Sequence, residues 1–305
     1  MRFVRYSVFG LFAAYGVACV HQSPSKPSST VHVSSEEGLP RLVSVYGSEI
    51  PELDGTARDE AWQRAKTLGV TTRRVVPPLD GATTAVELRA VHTDSHIYLL
   101  ATWQDGTCDA QEHKPWVWNE ETGSYEVGPE REDMFSVAFE LEGPFDGNML
   151  SGQEAVWDVW HWKATRTNPV GYAMDRSHRY TRHRPEGKAN EFLVESGGGH
   201  IWIARPEDDG ATVERKQPAP DSREDDRVPQ YLLGTPTGSA ADVRAKGSCT
   251  AGRWTLELGR QLDTGHPDDT AFHTGRSFRF AVATHDRTGE MDKASGVLEL
   301  VFEQR

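Results

Sequence analysis

The sequence predicts an all-β protein, an antiparallel β-sandwich with long loops and a few short helices. Three observations predict it. Apolar residues recur at every second position in many short runs, as in Phe135, Val137, Phe139 and Leu141. Each run is bounded by Gly, Asp, Asn or Pro. No long stretch repeats its apolar residues at the helical period of 3.6. Short two-faced strands with turn residues between them pack best as sheet on sheet.

The first 19 residues read as a secretory signal. Arg2 and Arg5 form a basic start, and Val8 to Ala18 is an apolar or small-residue run too short to span a bilayer. Gly16-Val17-Ala18 precede Cys19, a lipobox-like ending that predicts lipidation of Cys19, with an ordinary signal-peptidase site nearby as the alternative. No Asp follows the Cys, so the expected location is the outer membrane facing the periplasm, or the periplasm itself without the lipid. Residues 20–42 are rich in Ser, Pro and polar residues and read as a flexible tether. Residues 43–305 read as a single domain without internal repeat.

Within that domain, Leu53-Asp54-Gly55 marks a turn, and Asp59 to Ala65 a short helix anchored by Trp62. Period-two runs follow at Val86, Leu88 and Ala90; at Ile97, Leu99, Ala101 and Trp103; and at Phe135 to Leu141. Later runs are Trp254, Leu256 and Leu258; Phe278, Phe280 and Val282; and Leu298, Leu300 and Phe302. Residues 106–133 and 204–250 are polar and read as long loops, which in a compact domain are usually functional or mobile.

The formal charge of −13 argues against a nucleic-acid partner, which needs a basic surface. With Cys19 lipidated, Cys108 and Cys249 remain, and an oxidising compartment permits a disulfide between them. There is no Cys-x-x-Cys-His, so no covalently attached c-type haem is expected. Enzyme templates are missing as well: no Gly-x-Ser-x-Gly elbow, no phosphate-binding Gly loop and no His-Glu-x-x-His. The chain is therefore expected to bind or carry rather than to catalyse.

Chemistry concentrates in Trp157-Asp158-Val159-Trp160-His161-Trp162-Lys163-Ala164. As a strand it sends Trp160 and Trp162 one way and Trp157, His161 and Lys163 the other. One reading is a wall for a flat apolar ligand beside groups that bind metal or charge. The other is an aromatic core strand with its polar tips in water. Donors suited to haem iron are thioethers, imidazoles and, when neutral, amines. They occur at Met134, Met149, His161, Lys163, Met174, Met291 and Lys293. The run Arg176, Arg179, Arg182 and Arg184 is a poor setting for a dication but suits the carboxylates of a haem.

The chain resembles the haem-binding domain family of ethylbenzene dehydrogenase, which includes the haem b subunits of dimethylsulfide dehydrogenase-type molybdenum enzymes. The resemblance runs from about Val45 to Phe302. It rests on Leu53-Asp54-Gly55 with Asp59-Glu60-Ala61-Trp62, Ala101-Thr102-Trp103-Gln104-Asp105, Arg131-Glu132-Asp133 and Asn148-Met149-Leu150-Ser151-Gly152. It continues through Asp158 to Ala164 with Arg166, Pro169, Gly171 and Tyr172, and through Trp254-Thr255-Leu256-Glu257 with Arg260 and Leu262. The resemblance implies an immunoglobulin- or DOMON-like sandwich holding one non-covalent haem b between a Met and a Lys. The Met maps to Met149, with Met134 as the alternative. The Lys maps to Lys293 in Lys293-Ala294-Ser295, with His161 as an alternative ligand. Trp157, Trp160 and Trp162 are then expected to wall the slot, and Lys163 and Arg166 to meet the propionates. The implied partner is a periplasmic redox protein or molybdenum oxidoreductase, with the membrane reached through the lipid. The rival reading is a carbohydrate- or small-ligand-binding sandwich lipoprotein without haem, in which Trp116, Trp118 and Trp202 would stack on sugar rings. A third is a structural surface lipoprotein.

Overall fold

The structure is a computed structural model of the 305-residue chain. It describes residues 38–75, 80–194, 197–206, 208–287 and 293–304. The signal segment with Cys19, most of the expected tether, and Met291 lie outside the described residues.

The unit that begins at Leu39 enters through β1 (Arg41–Tyr46), two residues ahead of the expected start. The turn and Trp62 segment give α1 (Glu60–Arg64). The alternating runs at Val86 and Ile97 become β3 and β4 of a meander made by β2 (Leu68–Arg74), β3 (Thr83–His92) and β4 (His96–Gln104). Residues 106–133 carry only β5 (Trp116–Asn119) and β6 (Ser124–Val127). A second meander follows: β7 (Met134–Glu142), β8 (Ala155–Lys163) and β9 (Met174–Thr181). It extends into β10 (Ala189–Leu193) and β11 (His200–Ala204). Then come β12 (Glu214–Lys216), β13 (Arg227–Val228), β14 (Tyr231–Leu233) and β15 (Arg244–Thr250). β16 (Arg253–Gln261), β17 (Phe278–His285), β18 (Lys293–Ala294) and β19 (Leu298–Phe302) close the chain. Short 3₁₀ turns lie at Asn168–Val170 and Gly238–Ala241.

The main sheet runs β10-β11-β9-β8-β7-β17-β18-β2-β3-β4-β16-β15, with β1 parallel to β19 and β3 and every other pairing antiparallel. Its two halves face each other as a sandwich. Trp103 of β4 stacks on Phe135 of β7 at 5.0 Å, and Trp254 of β16 meets Trp162 of β8 at 5.0 Å. Phe135, Phe139, Phe278 and Phe280 are buried there, each contributing roughly 1.5–3 kcal/mol by removal from water.

Three polar anchors hold the layers in register. Buried Glu257 of β16 accepts from the Nε1 of Trp62 at 2.7 Å and from the backbone N–H groups of Asp54 and Gly55, which docks the entry turn and α1. Asp133 accepts from Trp254 Nε1 at 3.0 Å and from the N–H of Asp109. Arg260, 1% exposed, crosses the core from β16 to Asp158 of β8.

One stretch departs from expectation. Within the polar 204–250 segment, β15 pairs along its full length with β16 and joins the main sheet. Its sequence lacks a large apolar face because Gly247 lies against the Trp162 ring, where a Cβ would come within 2.6 Å of the indole. The tryptophan fills the place a side chain would have taken.

Cys108 and Cys249 form a disulfide that ties the 106–133 stretch to β15, with Cα atoms 6.1 Å apart and a sequence separation of 141. Closing a loop of that length restricts the unfolded chain by about 3–5 kcal/mol. Replacing both by Ser is expected to lower the unfolding free energy by that amount in a denaturant titration. A loss below about 1 kcal/mol would contradict the estimate.

Buried carboxyls set a pH dependence. Burial pushes Glu257 up to about 7 against its three N–H donors, and pushes Asp208 up to about 8, with Asp268 adding to the shift. Both folded-state values lie above those of the unfolded chain, so the stabilisation is complete in acid and lost as pH rises through 7–8. Histidines held neutral by burial (His113, His161 and His178) act in the opposite sense, but only below their unfolded value of 6.5. Between pH 6.5 and 8 the denaturation midpoint should therefore fall. A midpoint rising across that interval would contradict these assignments.

Candidate functional site

β8 divides its side chains as a strand must. Asp158, Trp160 and Trp162 enter the sandwich core, while Trp157, Val159, His161 and Lys163 lie on the outer face. The antiparallel register brings matching residues beside them: Met134, Ser136 and Ala138 of β7, Met174, Arg176 and His178 of β9, and Ala281, Ala283 and His285 of β17. Together they floor a cleft of about 240 Å³, bordered by Gly147 and Met149 of the β7–β8 connection. Trp160 and Trp162, expected to wall the slot, are therefore core residues. Trp160 tilts on Phe139 at 5.0 Å, and Trp162 donates its Nε1 to Asn168 Oδ1 at 3.1 Å. Trp157 does line the cleft, packed on Phe145 and Tyr180 with ring centroids at 4.6 and 4.4 Å.

The cleft is rich in soft and neutral donors. Met134, Met149, Met174, His161 and His285 all line it. His161 and His285 stack with centroids 5.2 Å apart, and His285 Nε2 lies 3.1 Å from Ser136 Oγ. The Nε2 of His161 is buried and has no hydrogen-bond partner among the described residues. Burial, reinforced by Lys163 and His285, holds this imidazole well below its usual range, so it is neutral. A buried neutral nitrogen without a protein partner costs stability.

Lys163 and Arg166, expected as partners of haem propionates, are already committed. Lys163 Nζ donates to Glu214 Oε1 at 2.5 Å and to the Met174 sulfur at 2.6 Å. Burial and the neighbouring Arg166 lower the amine to about 8 despite Glu214. Arg166 pairs with Glu132 and Glu214 and lies over the Tyr231 ring at 4.6 Å. Glu132 also accepts from the N–H groups of Thr165 and Arg166. Thus one buried carboxylate from each long polar segment locks onto the residues just after the signature. That explains why Lys163 and Arg166 sit there, and what the two long segments do: they dock at the end of the cleft.

Lys293 lies elsewhere. It is buried, but its register opposite Thr284 places it on the face of β17–β18 that carries Phe280 and Val282 toward the core, and Ala294 is the residue that lines the cleft. The position that the resemblance gives to a lysine amine is thus not brought to Met149 and His161.

A second cavity of about 760 Å³ adjoins the first and shares Lys163, Arg166, Arg176 and Arg205 with it. Arg205 and His285 are not among the site residues expected from the sequence. A signal for His285 exists: it continues the Ala281, Ala283 alternation on the face opposite Phe280 and Val282. Arg205 follows β11 with no pattern to mark it. The tryptophans considered for sugar stacking carry other partners. Trp118 lies under Arg223, Trp202 lies under Arg184, and Trp116 Nε1 donates to the Gln217 carbonyl at 3.2 Å.

A family model described as ethylbenzene dehydrogenase matches residues 59–295, more than half of the chain. A search of curated proteins gives no significant match. Among solved structures, the chain is similar to a carbohydrate binding module family 9 domain from Caldicellulosiruptor kristjanssonii in complex with cellotriose. The identity is 11%, the TM-score 0.38, and the coverage 87% of this chain and 94% of that one. The same module in complex with glucose gives 12% identity and a TM-score of 0.36, covering 87% of this chain and 96% of that one. Similarity this low assigns no ligand here.

Proposed function

The chain belongs to the ethylbenzene dehydrogenase family, and we propose that it is a haem b-binding electron-transfer protein of that family, not an enzyme by itself. The observation that carries the reading is the outer-face cleft. It sets a buried imidazole nitrogen, without a partner among the described residues, and three thioethers among small apolar side chains, next to a cluster of arginines. Imidazole and thioether are donors that haem iron accepts, and Arg pairs well with carboxylates.

The residues fit such a group. His161 and Met149 are the proposed iron donors, with Met134 and Met174 nearby. Trp157, Ala138, Val159, Ala281 and Ala283 supply apolar surface that excludes water. Arg176 and Arg205 line the cleft beside Lys163 and Arg166 and are the proposed carboxylate partners. When bound, the haem supplies one-electron exchange at iron, and a thioether donor favours its reduced state. The chain's own part is to bind, orient and shield. The proposal includes export, with Cys19 as the lipid anchor to the outer membrane facing the periplasm, and a periplasmic redox protein or molybdenum oxidoreductase as partner.

The test is haem content. Full-length protein purified from cells supplied with a haem precursor should contain about one haem b per chain by the pyridine haemochrome assay, the stoichiometry that a single axial pair dictates. Protein free of haem under those conditions would overturn the proposal.

A further inference from the structure

We propose that the cationic groove beside the cleft is a docking surface for an acidic, extended segment of a partner protein. The groove is the second cavity, about 760 Å³, and among the described residues seven cationic side chains line it against two carboxylates, Glu186 and Glu214. Glu214 is already taken by Lys163 and Arg166. Among the described residues, Arg179, Lys188, Arg205 and Lys216 have no acidic partner, and all but Arg205 are exposed. A positive patch of this kind on a chain of net charge −13 runs against the average field of the molecule. It therefore gives orientation to an anionic visitor.

The shape favours a polypeptide over a small anion. The four cations come from separate segments: β9, the turn before β10, the residue after β11, and the end of β12. A single phosphate, with about two negative charges at neutral pH, cannot balance four cations. Alongside runs β10, the terminal strand of the sheet, whose Ala189 and Asn190 form part of the groove wall. Its outer edge pairs with no strand among the described residues, and Leu193 at its end is 71% exposed. An open backbone edge beside a row of cations is what an added acidic strand requires. The purpose of the surface rests on the electron-transfer reading, since the groove shares Arg176 and Arg205 with the cleft. Its chemistry does not.

The test is fluorescence anisotropy of a fluorescein-labelled decaglutamate peptide with the full chain, with and without added hemin, at about 20 and 150 mM salt. Binding is expected in both forms and should weaken with salt. The triple variant Arg179→Glu, Lys188→Glu, Lys216→Glu, all at exposed positions, should lose at least about ten-fold in affinity. The pair Arg41→Glu, Arg276→Glu should change it little. Inorganic phosphate should compete no better than chloride at equal ionic strength. Salt-insensitive binding, no binding, or full affinity in the triple variant would overturn the proposal. Selective displacement by phosphate would also overturn it, in favour of a small-oxyanion site. Peptide binding by protein that takes up no hemin would leave the docking surface standing and remove the haem reading.

Discussion

Replacing Arg260 by Met is expected to lower the unfolding free energy by about 3–5 kcal/mol, the cost of removing one partner from a buried ion pair. Arg260 Nη1 donates to Asp158 Oδ2 and Asp269 Oδ1, each at 2.8 Å, and Nη2 donates to the Thr270 carbonyl at 2.6 Å. Its guanidinium lies over Trp160 at 4.9 Å and Phe272 at 5.3 Å. Without it, the buried carboxyls of Asp158, Asp175 and Asp269 face one another with no cation from this position. Burial already pushes Asp175 well above the usual carboxylate range, and Asp158 raises it further. Arg260→Lys should not retain the stability, because an ammonium lacks the planar fork that reaches two carboxylates and a carbonyl together. Replacing Arg260, Asp158 and Asp269 together by apolar residues should recover much of the loss, since the desolvation cost goes with the charges. An Arg260→Met variant within about 1 kcal/mol of the parent in guanidinium titrations would show that this cluster does not hold the layers together.

The second large effect is expected at His161. Loss of a partner that only orients a metal ligand costs ~10–100-fold in affinity, and loss of a ligand should exceed that. His161→Ala is therefore expected to weaken hemin binding by more than about 100-fold and to change the absorption spectrum of any complex that remains. Met149→Ala should alter the spectrum as well. Lys293→Met should leave binding and spectrum near those of the parent, because Ala294 rather than Lys293 faces the cleft. The reverse order, with Lys293 indispensable and His161 neutral, would show that a lysine amine reaches the iron in this chain as the family resemblance implies.

Much of this architecture is legible in the sequence, for a physical reason. Period-two alternation is a property of the strand itself, so the runs at Val86, Ile97, Phe135, Trp254, Phe278 and Leu298 each form a strand of the main sheet. The same alternation separates Trp160 and Trp162 from Trp157, His161 and Lys163. Assigning all three tryptophans to the slot goes against it, and the structure places Trp160 and Trp162 in the core. Less is legible where partners come from distant segments. Nothing local says that Glu132 and Glu214 will meet at Arg166, so Lys163 and Arg166 read as free cations in the sequence. β15 is hidden because its apolar face is a glycine under a neighbouring indole. Lys293 is a case of motif without register: Lys293-Ala294-Ser295 matches the pattern, but only the pairing with β17 tells which of the first two faces the cleft.

The most direct measurement is an absorption titration of the full chain with hemin. The expected result is a sharpened, shifted Soret band that saturates at one hemin per chain, with the α and β bands of a six-coordinate low-spin iron on reduction. A spectrum that stays that of free hemin throughout the titration would contradict the haem-binding role.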